Sequence, residues 1–343
     1  MKKSVWALSL VVGWLASTTV VTAAETAAAK PLVHINIAGP EFAGSVLPGR
    51  PGYDYMFPSA ASLDRWKAEG VQVFRLPIKW ERLQPTLNAP LDEVYAKLID
   101  TAVQRAADRK MSLLLDIHNY GFYRKQVIGS AAVPLTAYNN LLQQISKRWG
   151  NSPGLHGYDI MNEPNGAADA GWPAAAQAAI NGVRVNDKVK PIYVQGRSWS
   201  SASQWAKLNG PLLLLRDPSN NIIFSAHLYV DPNASGTYTA AAPANFDPNL
   251  GVQRATPFVE WLVRNNRKGH IGEFGVPGDD PRYLESMERL LSYLKTNCVP
   301  MAYWAAGPWG SSYKLSIEPA KDGQSKTQWS VLSKHIKEGS TCK

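Results

Sequence analysis

The stretch LHGYDIMNEP, residues 155–164, has the composition of a buried β-strand that ends in polar side chains. Its apolar and aromatic residues are typical of a strand, and an amide and a carboxylate, Asn162 and Glu163, follow them directly. Pro164 comes next, and proline suits the end of a strand because it cannot donate to the sheet ladder. The stretch therefore predicts a strand that presents Asn162 and Glu163 at one edge of a sheet.

Seven more apolar runs, rich in β-branched and aromatic residues, cover residues 33–39, 71–78, 111–119, 190–196, 221–230, 270–275 and 299–307. Segments with helical periodicity lie between them, at residues 59–70, 91–110, 137–150, 257–269 and 283–297. Alternating strands and helices indicate parallel βαβ units, and eight units fit a single-domain (β/α)8 TIM barrel of the α/β class. An open doubly wound sheet is the alternative, although no Gly-rich turn follows the first strand to bind a dinucleotide.

The first residues are typical of a secretory signal peptide. A pair of lysines precedes an apolar run, residues 5–16, and a series of small residues follows. We expect cleavage after Ala23 or Ala24, which makes residues 1–23 a signal peptide and 24–343 the mature domain. A transmembrane anchor is the alternative, but the apolar run is short for a membrane span. The chain is therefore predicted to be secreted or periplasmic, with no membrane contact after cleavage.

Charge and cysteine content limit the partners that such an exported chain would have. The formal net charge is +9, but no run of five basic residues occurs. No basic stripe alternates with aromatic residues either, so the sequence does not favour nucleic-acid binding. The two cysteines, Cys298 and Cys342, are expected to pair in an oxidising compartment, with two unpaired thiols as the alternative. We expect a monomer.

Polar and aromatic side chains occur near the ends of six of the predicted strands. The active face of a (β/α)8 barrel is formed by the C-terminal ends of its strands, and polar groups in apolar strands are costly to bury unless they pair. A shared site explains six such strands better than packing does. Its candidate residues are Arg75, His118, Asn119, Tyr120, Asn162, Glu163, His227, Tyr229, Glu273 and Trp304.

Two of these side chains are carboxylates on strands that lie nearly opposite each other in an eight-stranded barrel. Glu163 ends the fourth strand and Glu273 the seventh, and glycoside hydrolysis uses such a pair, one protonated and one ionised. Taken singly, Glu163 would also suit a loop cap and Glu273 an ion pair. A metal site formed by two histidines and a glutamate is another alternative. The sequence, however, has no HExxH motif or similarly compact spacing to support it. A carbohydrate-binding protein on a catalytically inactive barrel is a further alternative. Such a protein would have lost one of the two carboxylates, and both are present here.

The set resembles glycoside hydrolase family 5, in the clan of retaining (β/α)8 glycosidases known as clan A. The matching motifs, in the family's order, are FRLP with Arg75, DIHNY with His118, MNEP with Asn162 and Glu163, HLY with His227 and Tyr229, GEFG with Glu273 and YWAAGPW with Trp304. The stretches NIAGPEFAG, PIKWERLQP, HNYGFY, SWSSASQW, YVDPNASGTY and AAGPWG are similar to the endoglucanase subfamily 5. Two positions depart from the pattern: Ile117 stands where proline is expected, and Trp309 stands alone where a tryptophan pair is common.

The resemblance implies a role for each residue. Glu163 would be the general acid and then the general base, and Glu273 the nucleophile. Residues expected to support these two are Arg75, Tyr229 and His227. Residues expected to bind the sugar at the cleaved bond are His118, Asn119, Asn162 and Trp304. Candidates for outer sugar platforms are Trp80, Tyr120, Trp172, Trp199, Trp205 and Trp309, and for each of them core or loop packing is the alternative.

The resemblance therefore implies a catalytic domain over residues 24–343 that is an endo-β-1,4-glucanase, a cellulase, acting on β-1,4-glucan by a retaining double displacement. It implies neither a cofactor nor a metal. Alternatives within the same chemistry are hydrolysis or transglycosylation of another β-glycan, such as mannan, xyloglucan or mixed-linkage glucan, and periplasmic trimming of self-made cellulose.

Overall fold

Eight parallel strands close into one barrel in the computed structural model, which describes residues 31–310 and 312–340 together with Met1, Lys3, Ser4 and Cys342. The expected signal peptide, residues 1–23, lies outside the described residues apart from those three N-terminal positions. The strands are β1 (Val33–Ile37), β2 (Val73–Ile78), β3 (Ser112–Ile117), β4 (Leu155–Asp159), β5 (Ile192–Gln195), β6 (Ile222–Tyr229), β7 (Lys268–Gly275) and β8 (Met301–Ala306). They follow one another around the barrel, and β8 pairs with β1. This confirms the predicted (β/α)8 architecture.

The helices surround the barrel, and their bounds are α1 (Ala60–Ala68), α2 (Trp80–Leu83), α3 (Glu93–Asp108), α4 (Leu135–Trp149), α5 (Trp172–Asn186), α6 (Trp205–Leu208), α7 (Leu250–Arg264), α8 (Pro281–Thr296) and α9 (Thr327–Lys337). A short antiparallel hairpin, Phe122–Tyr123 with Gln126–Val127, follows β3. The N-cap expected at Ser59 is present, because its side chain accepts from the Ser62 backbone N–H.

Three of the longer helices differ from the sequence prediction, and the one-turn helices α2 and α6 were not predicted either. The helix expected from Pro257 begins earlier, at Leu250, and keeps Pro257 inside it. A proline there removes one main-chain hydrogen bond, but the helix buries Phe258 and Trp261, and that packing decides its length. Helices α5 and α9 were not predicted. Within α5, Gly182 lets two helices approach closely, since a Cβ there would lie 2.4 Å from the Asn139 carbonyl oxygen of α4.

Three of the candidate sugar platforms belong to the core instead. Trp80, Trp172 and Trp205 are each at most 1% exposed. The Trp172 indole donates to the Gln195 carbonyl oxygen at 2.7 Å, and Trp205 packs edge-on against Phe258. A buried indole is stabilised by such a partner and by its large apolar area, so for these three candidates the alternative, core packing, is what the structure shows.

The C-terminal tail is joined to the barrel by a covalent bond. Cys298, in the turn between α8 and β8, and Cys342, after α9, form a disulfide across a sequence separation of 44 residues. No helix within the described part of the chain is long and apolar enough to cross a membrane.

Removal of the disulfide is expected to lower the free energy of unfolding by about 4 kcal/mol in the chain-entropy model for a loop of this length. Urea unfolding of the double variant Cys298→Ser/Cys342→Ser, compared with wild type, measures the change. Wild type treated with a thiol reductant should match the double variant. Equal midpoints for the variant and the oxidised wild type would contradict the expectation.

Candidate active site

Glu163 lies four residues beyond the end of β4, in a backbone conformation that is uncommon for a residue with a side chain. Its φ is +44°, in the left-handed region that few non-glycine residues occupy. Its backbone N–H donates to Gln195 Oε1 at 2.8 Å. Its side-chain Oε1 lies 2.7 Å from His227 Nδ1. The carboxyl group is thus aimed at the mouth of the barrel from a fixed main chain.

Glu273 lies within β7, and both of its carboxyl oxygens face donors. Arg75 donates to Oε1 at 2.8 Å, and the Tyr229 hydroxyl donates to Oε2 at 2.9 Å. His227 Nδ1 lies 3.5 Å from the same Oε2. The side chain is 6% exposed, and this donor set suits an ionised carboxylate, which only accepts hydrogen bonds.

The two carboxyl groups face each other across the barrel mouth. One oxygen of Glu163, one oxygen of Glu273 and a ring nitrogen of His227 all lie within 4.8 Å of one another. Retaining glycosidases hold their two carboxyl groups about 5–5.5 Å apart, whereas inverting ones leave room for a water between them. The separation therefore fits direct attack by one carboxylate on a sugar carbon.

These same three residues would also be a plausible ligand set for a metal ion. The Arg75 guanidinium, however, lies 2.8 Å from Glu273 Oε1, where it would repel a second cation. Donors already meet both oxygens of Glu273. The arrangement suits proton transfer and nucleophilic attack better than metal binding.

Burial separates the proton affinities of Glu163 and His227. Desolvation raises the pKa of Glu163 to about 8; Arg75 opposes this rise and Asp116 adds to it. Desolvation lowers the pKa of His227 to about 4, against the attraction of Glu273. At neutral pH the proton therefore resides on the carboxyl group of Glu163, and the imidazole is neutral.

Arg75 connects four strands beneath the two carboxyl groups. It is 1% exposed and lies within 2.9 Å of Asp116, Asp159 and Glu273. Burial opposes its charge, but the three carboxylates together raise its pKa. The sequence placed Arg75 near the end of its strand; it is instead the third residue of β2, below the mouth.

Trp304 and His118 form one wall of the site. The two rings lie nearly parallel, with centroids 5.6 Å apart and an interplanar angle of 15°, and the Trp304 indole donates to the Tyr313 hydroxyl at 2.8 Å. His118 Nδ1 meets Asp116 Oδ2 at 2.7 Å, and its Nε2 lies 3.1 Å from the Tyr120 hydroxyl. Since Asp116 accepts, Nδ1 carries the imidazole proton and Nε2 is the acceptor.

The side-chain amides of Asn162 and Asn119 differ in how many of their hydrogen-bonding groups already have a partner. Asn162 Oδ1 accepts from Arg75 at 2.8 Å, and its Nδ2 makes a longer contact of 3.3 Å with His118, so a donor remains for a ligand. Asn119 Nδ2 donates to Glu81 and to the Phe122 carbonyl oxygen, while its Oδ1 accepts from the backbone of α2. Asn119 therefore joins two loops. Its Nδ2 already donates to two acceptors, so no donor remains for the predicted contact with a sugar.

A cleft of about 500 Å³ extends from Glu163 along the loops after β5 and β6. Trp199 lines it and is 55% exposed. Trp309 lies on the side of Trp304, with ring centroids 6.1 Å apart, and one of its faces stacks on Tyr313 at 4.0 Å. Of the three remaining candidate outer platforms, Trp199 lies in the cleft at Glu163, Trp309 lies next to Trp304, and Tyr120 contacts His118.

Sequence reasoning missed several members of the site. Asp116 and Asp159 have no exposed surface, and each leaves its Oδ1 without a hydrogen-bond partner among the described residues. Gln195 is equally buried. A signal was present: an acidic residue inside an apolar strand is costly to bury unless a cation lies nearby, and Arg75 was already a candidate.

Comparison with known proteins agrees with this geometry. The chain matches the family model for cellulase (glycosyl hydrolase family 5) over residues 35–310. It is 32% identical to endoglucanase gh5-1 of Neurospora crassa, over 83% of this chain and 72% of that one. It superimposes on Pseudomonas stutzeri endoglucanase Cel5A in complex with cellobiose with a TM-score of 0.87 and 40% identity, covering 91% and 93% of the two chains.

A second solved structure, XacCel5A in complex with cellopentaose, gives a TM-score of 0.83 at 33% identity and covers 89% of this chain and 99% of that one. The family match spans Glu163 and Glu273 and all eight barrel strands apart from the first residues of β1. The chain therefore belongs to the cellulase family, glycosyl hydrolase family 5.

Proposed function

We propose that this protein is an endo-β-1,4-glucanase that cleaves internal bonds of cellulose or soluble β-glucan by a retaining double displacement. The observation that carries the proposal is the pair Glu163 and Glu273, with oxygens within 4.8 Å of each other and with different partners. Relatives named as endo-β-1,4-glucanases support the bond that is cleaved. Neighbours holding cellobiose and cellopentaose support a β-1,4-linked glucan as the substrate.

In the first step, Glu273 attacks the anomeric carbon of the sugar. A bond forms between that carbon and a Glu273 oxygen, and the bond to the glycosidic oxygen breaks. Glu163 gives its proton to the departing oxygen, so that the leaving chain departs as a neutral alcohol. Burial keeps this proton on Glu163, because it raises the pKa of the carboxyl group to about 8.

In the second step, Glu163 acts as the base. It is now ionised and takes a proton from a water molecule, whose oxygen attacks the anomeric carbon and displaces Glu273. Two displacements on opposite faces restore the original configuration. Arg75 and Tyr229, which donate to the two oxygens of Glu273, stabilise the carboxylate as it leaves.

His227 controls which oxygen of Glu163 carries the proton. Its pKa of about 4 makes the imidazole neutral near pH 7. With its own proton on Nδ1, it donates to Glu163 Oε1 at 2.7 Å, which leaves Oε2 for the acidic proton. The acid is thus oriented without a second positive charge at the site.

The aromatic residues support binding of a chain on both sides of the cleaved bond. Trp304 would lie under the sugar that is attacked, since an indole offers an apolar face to the C–H face of a pyranose. Trp309 would extend this surface on one side, and Trp199 would contact the leaving chain beyond Glu163. Sites on both sides favour cleavage within a chain over removal of end units.

We also propose export and a monomeric state. Residues 1–23 would be removed as a signal peptide, leaving residues 24–343 as a catalytic domain in the periplasm or the medium. The disulfide between Cys298 and Cys342 supports an oxidising compartment.

Replacement of either carboxylate by its amide is expected to abolish most of the activity. Glu273→Gln removes the nucleophile, so hydrolysis of carboxymethyl-cellulose should fall to background. Glu163→Gln removes the general acid, which contributes about 10²–10⁴-fold. Reducing-sugar release measures both losses, with Glu260→Gln on the exposed face of α7 as the unaffected control. Full activity in Glu273→Gln, or an inverted first product by proton NMR, would show that the mechanism is wrong.

The alkaline limb of kcat/KM is expected near pH 8, because Glu163 must be protonated and its pKa is about 8 in the free protein. Asp116→Asn removes a negative charge that contributes to this raised pKa, so the limb should move to lower pH. Initial rates with cellotetraose across pH 4 to about 10, a range chosen to bracket Glu163, measure the shift. A limb that stays in place or moves upward would contradict the assignment of Glu163.

Substrate preference is expected to follow β-1,4-glucan. Carboxymethyl-cellulose and barley glucan should be cleaved faster than mannan or xyloglucan, because the chain shares its fold and family with β-1,4-glucanases. Initial rates on this panel at equal mass concentration give the comparison. Cleavage of mannan without cleavage of carboxymethyl-cellulose would overturn the proposed substrate while leaving the retaining mechanism intact.

A further inference from the structure

The backbone of Glu163 is held by a side chain outside the set that contacts substrate. A residue with φ near +44° occupies a costly conformation, which persists where its surroundings fix it. The Glu163 N–H donates to Gln195 Oε1 at 2.8 Å. Gln195 is the last residue of β5 and has no exposed surface. The conformation that aims the acid thus depends on this amide.

The same amide continues into the network of the nucleophile. Gln195 Nε2 donates to Asp159 Oδ2 at 2.9 Å, and Arg75 Nε donates to that same oxygen at 2.7 Å. Arg75 then reaches Glu273 at 2.8 Å. A continuous chain of hydrogen bonds therefore runs from Glu273 through Arg75, Asp159 and Gln195 to the main chain of Glu163.

An amide is the side chain that satisfies both neighbours at this position. The Glu163 N–H requires an acceptor, while the Asp159 carboxylate requires a donor. These requirements also fix the orientation of the amide, with Oε1 toward Glu163 and Nε2 toward Asp159. Methionine would supply neither group, and an ionised glutamate would supply the acceptor alone.

We propose that Gln195 is a positioning residue for the reaction: it fixes the main chain of Glu163 relative to Glu273, through Asp159 and Arg75, and acts on the proton-transfer steps. It touches no reacting atom. This inference rests on the proposed function, because it takes Glu163 as the acid and base.

The test uses Gln195→Met, which keeps the approximate size and removes both hydrogen bonds. With cellotetraose, which needs a proton at the leaving oxygen, kcat/KM should fall by about 10–100-fold, the scale of a small misplacement of a catalytic group. With 2,4-dinitrophenyl β-cellobioside, whose phenolate leaves without a proton, kcat/KM should stay at the wild-type value. The second step with this substrate still needs Glu163 as the base for water, so kcat should fall. Azide attacks the glycosyl-enzyme without a base, so its addition should restore kcat and yield β-cellobiosyl azide.

Two controls separate the outcomes. Tyr229→Phe, on the side of the nucleophile, should lower kcat/KM with both substrates. Glu163→Gln should show the same split between substrates as Gln195→Met, but larger. A Gln195→Met variant that loses activity equally on both substrates, or on neither, overturns the inference. If Glu163→Gln itself shows no split, the proposed function has failed instead.

Gln195→Glu provides a second test if the methionine variant does not fold. At low pH a proton shared with Asp159 replaces the lost N–H donor and restores the chain of hydrogen bonds. As the pH rises and this proton is lost, two carboxylates face each other and the chain of hydrogen bonds breaks, so kcat/KM with cellotetraose should fall relative to wild type while kcat/KM with 2,4-dinitrophenyl β-cellobioside does not. A ratio of the two kcat/KM values that equals or exceeds the wild-type ratio at every pH overturns the inference.

Discussion

The contact of Arg75 with three buried carboxylates is the interaction on which the site depends. Asp116, Asp159 and Glu273 come from three different strands and meet one guanidinium within 2.9 Å. Guanidinium groups present several donors in a fixed plane, so the positions of these strand ends are set against one rigid group. Removing one partner of such a buried set leaves charge without compensation. The side chains at the mouth of the barrel are therefore positioned by the cluster of Arg75 and its carboxylate partners, which lies beneath them.

The charges of this cluster do not balance, and burial limits the imbalance. Three carboxylates surround one cation, and desolvation raises the pKa of Asp116 to about 7 and that of Asp159 to about 6, although Arg75 opposes both rises. Near neutral pH, part of the negative charge is thus neutralised by protons. Asp116 raises the pKa of Glu163 but Arg75 lowers it more, so the burial of Glu163 itself, and not this cluster, keeps the proton on its carboxyl group.

The barrel and the outline of the site could be predicted because both follow from the ends of strands. Eight apolar runs separated by helical segments indicate the fold, and Glu163 and Glu273 stand where parallel strands end. What could not be predicted depends on three-dimensional neighbours. Helix α5 is rich in alanine and carries Gly182, whose value lies in its close approach to α4. Gln195 resembles any polar strand end until Asp159 and Glu163 are seen beside it. Asn119 looked free because its partners lie in other loops.

The disulfide between Cys298 and Cys342 has a topological consequence. It turns the last segment of the chain into a covalent ring, which contains β8, with Trp304, the loop of Trp309, and α9. The aromatic wall of the site is thus attached at both of its ends. A protease that cuts a single exposed bond in this ring opens it without releasing a fragment, so the surface that would hold the sugar stays linked to the barrel. In the exported protein that we propose, the disulfide would keep the two pieces of a singly cut chain joined.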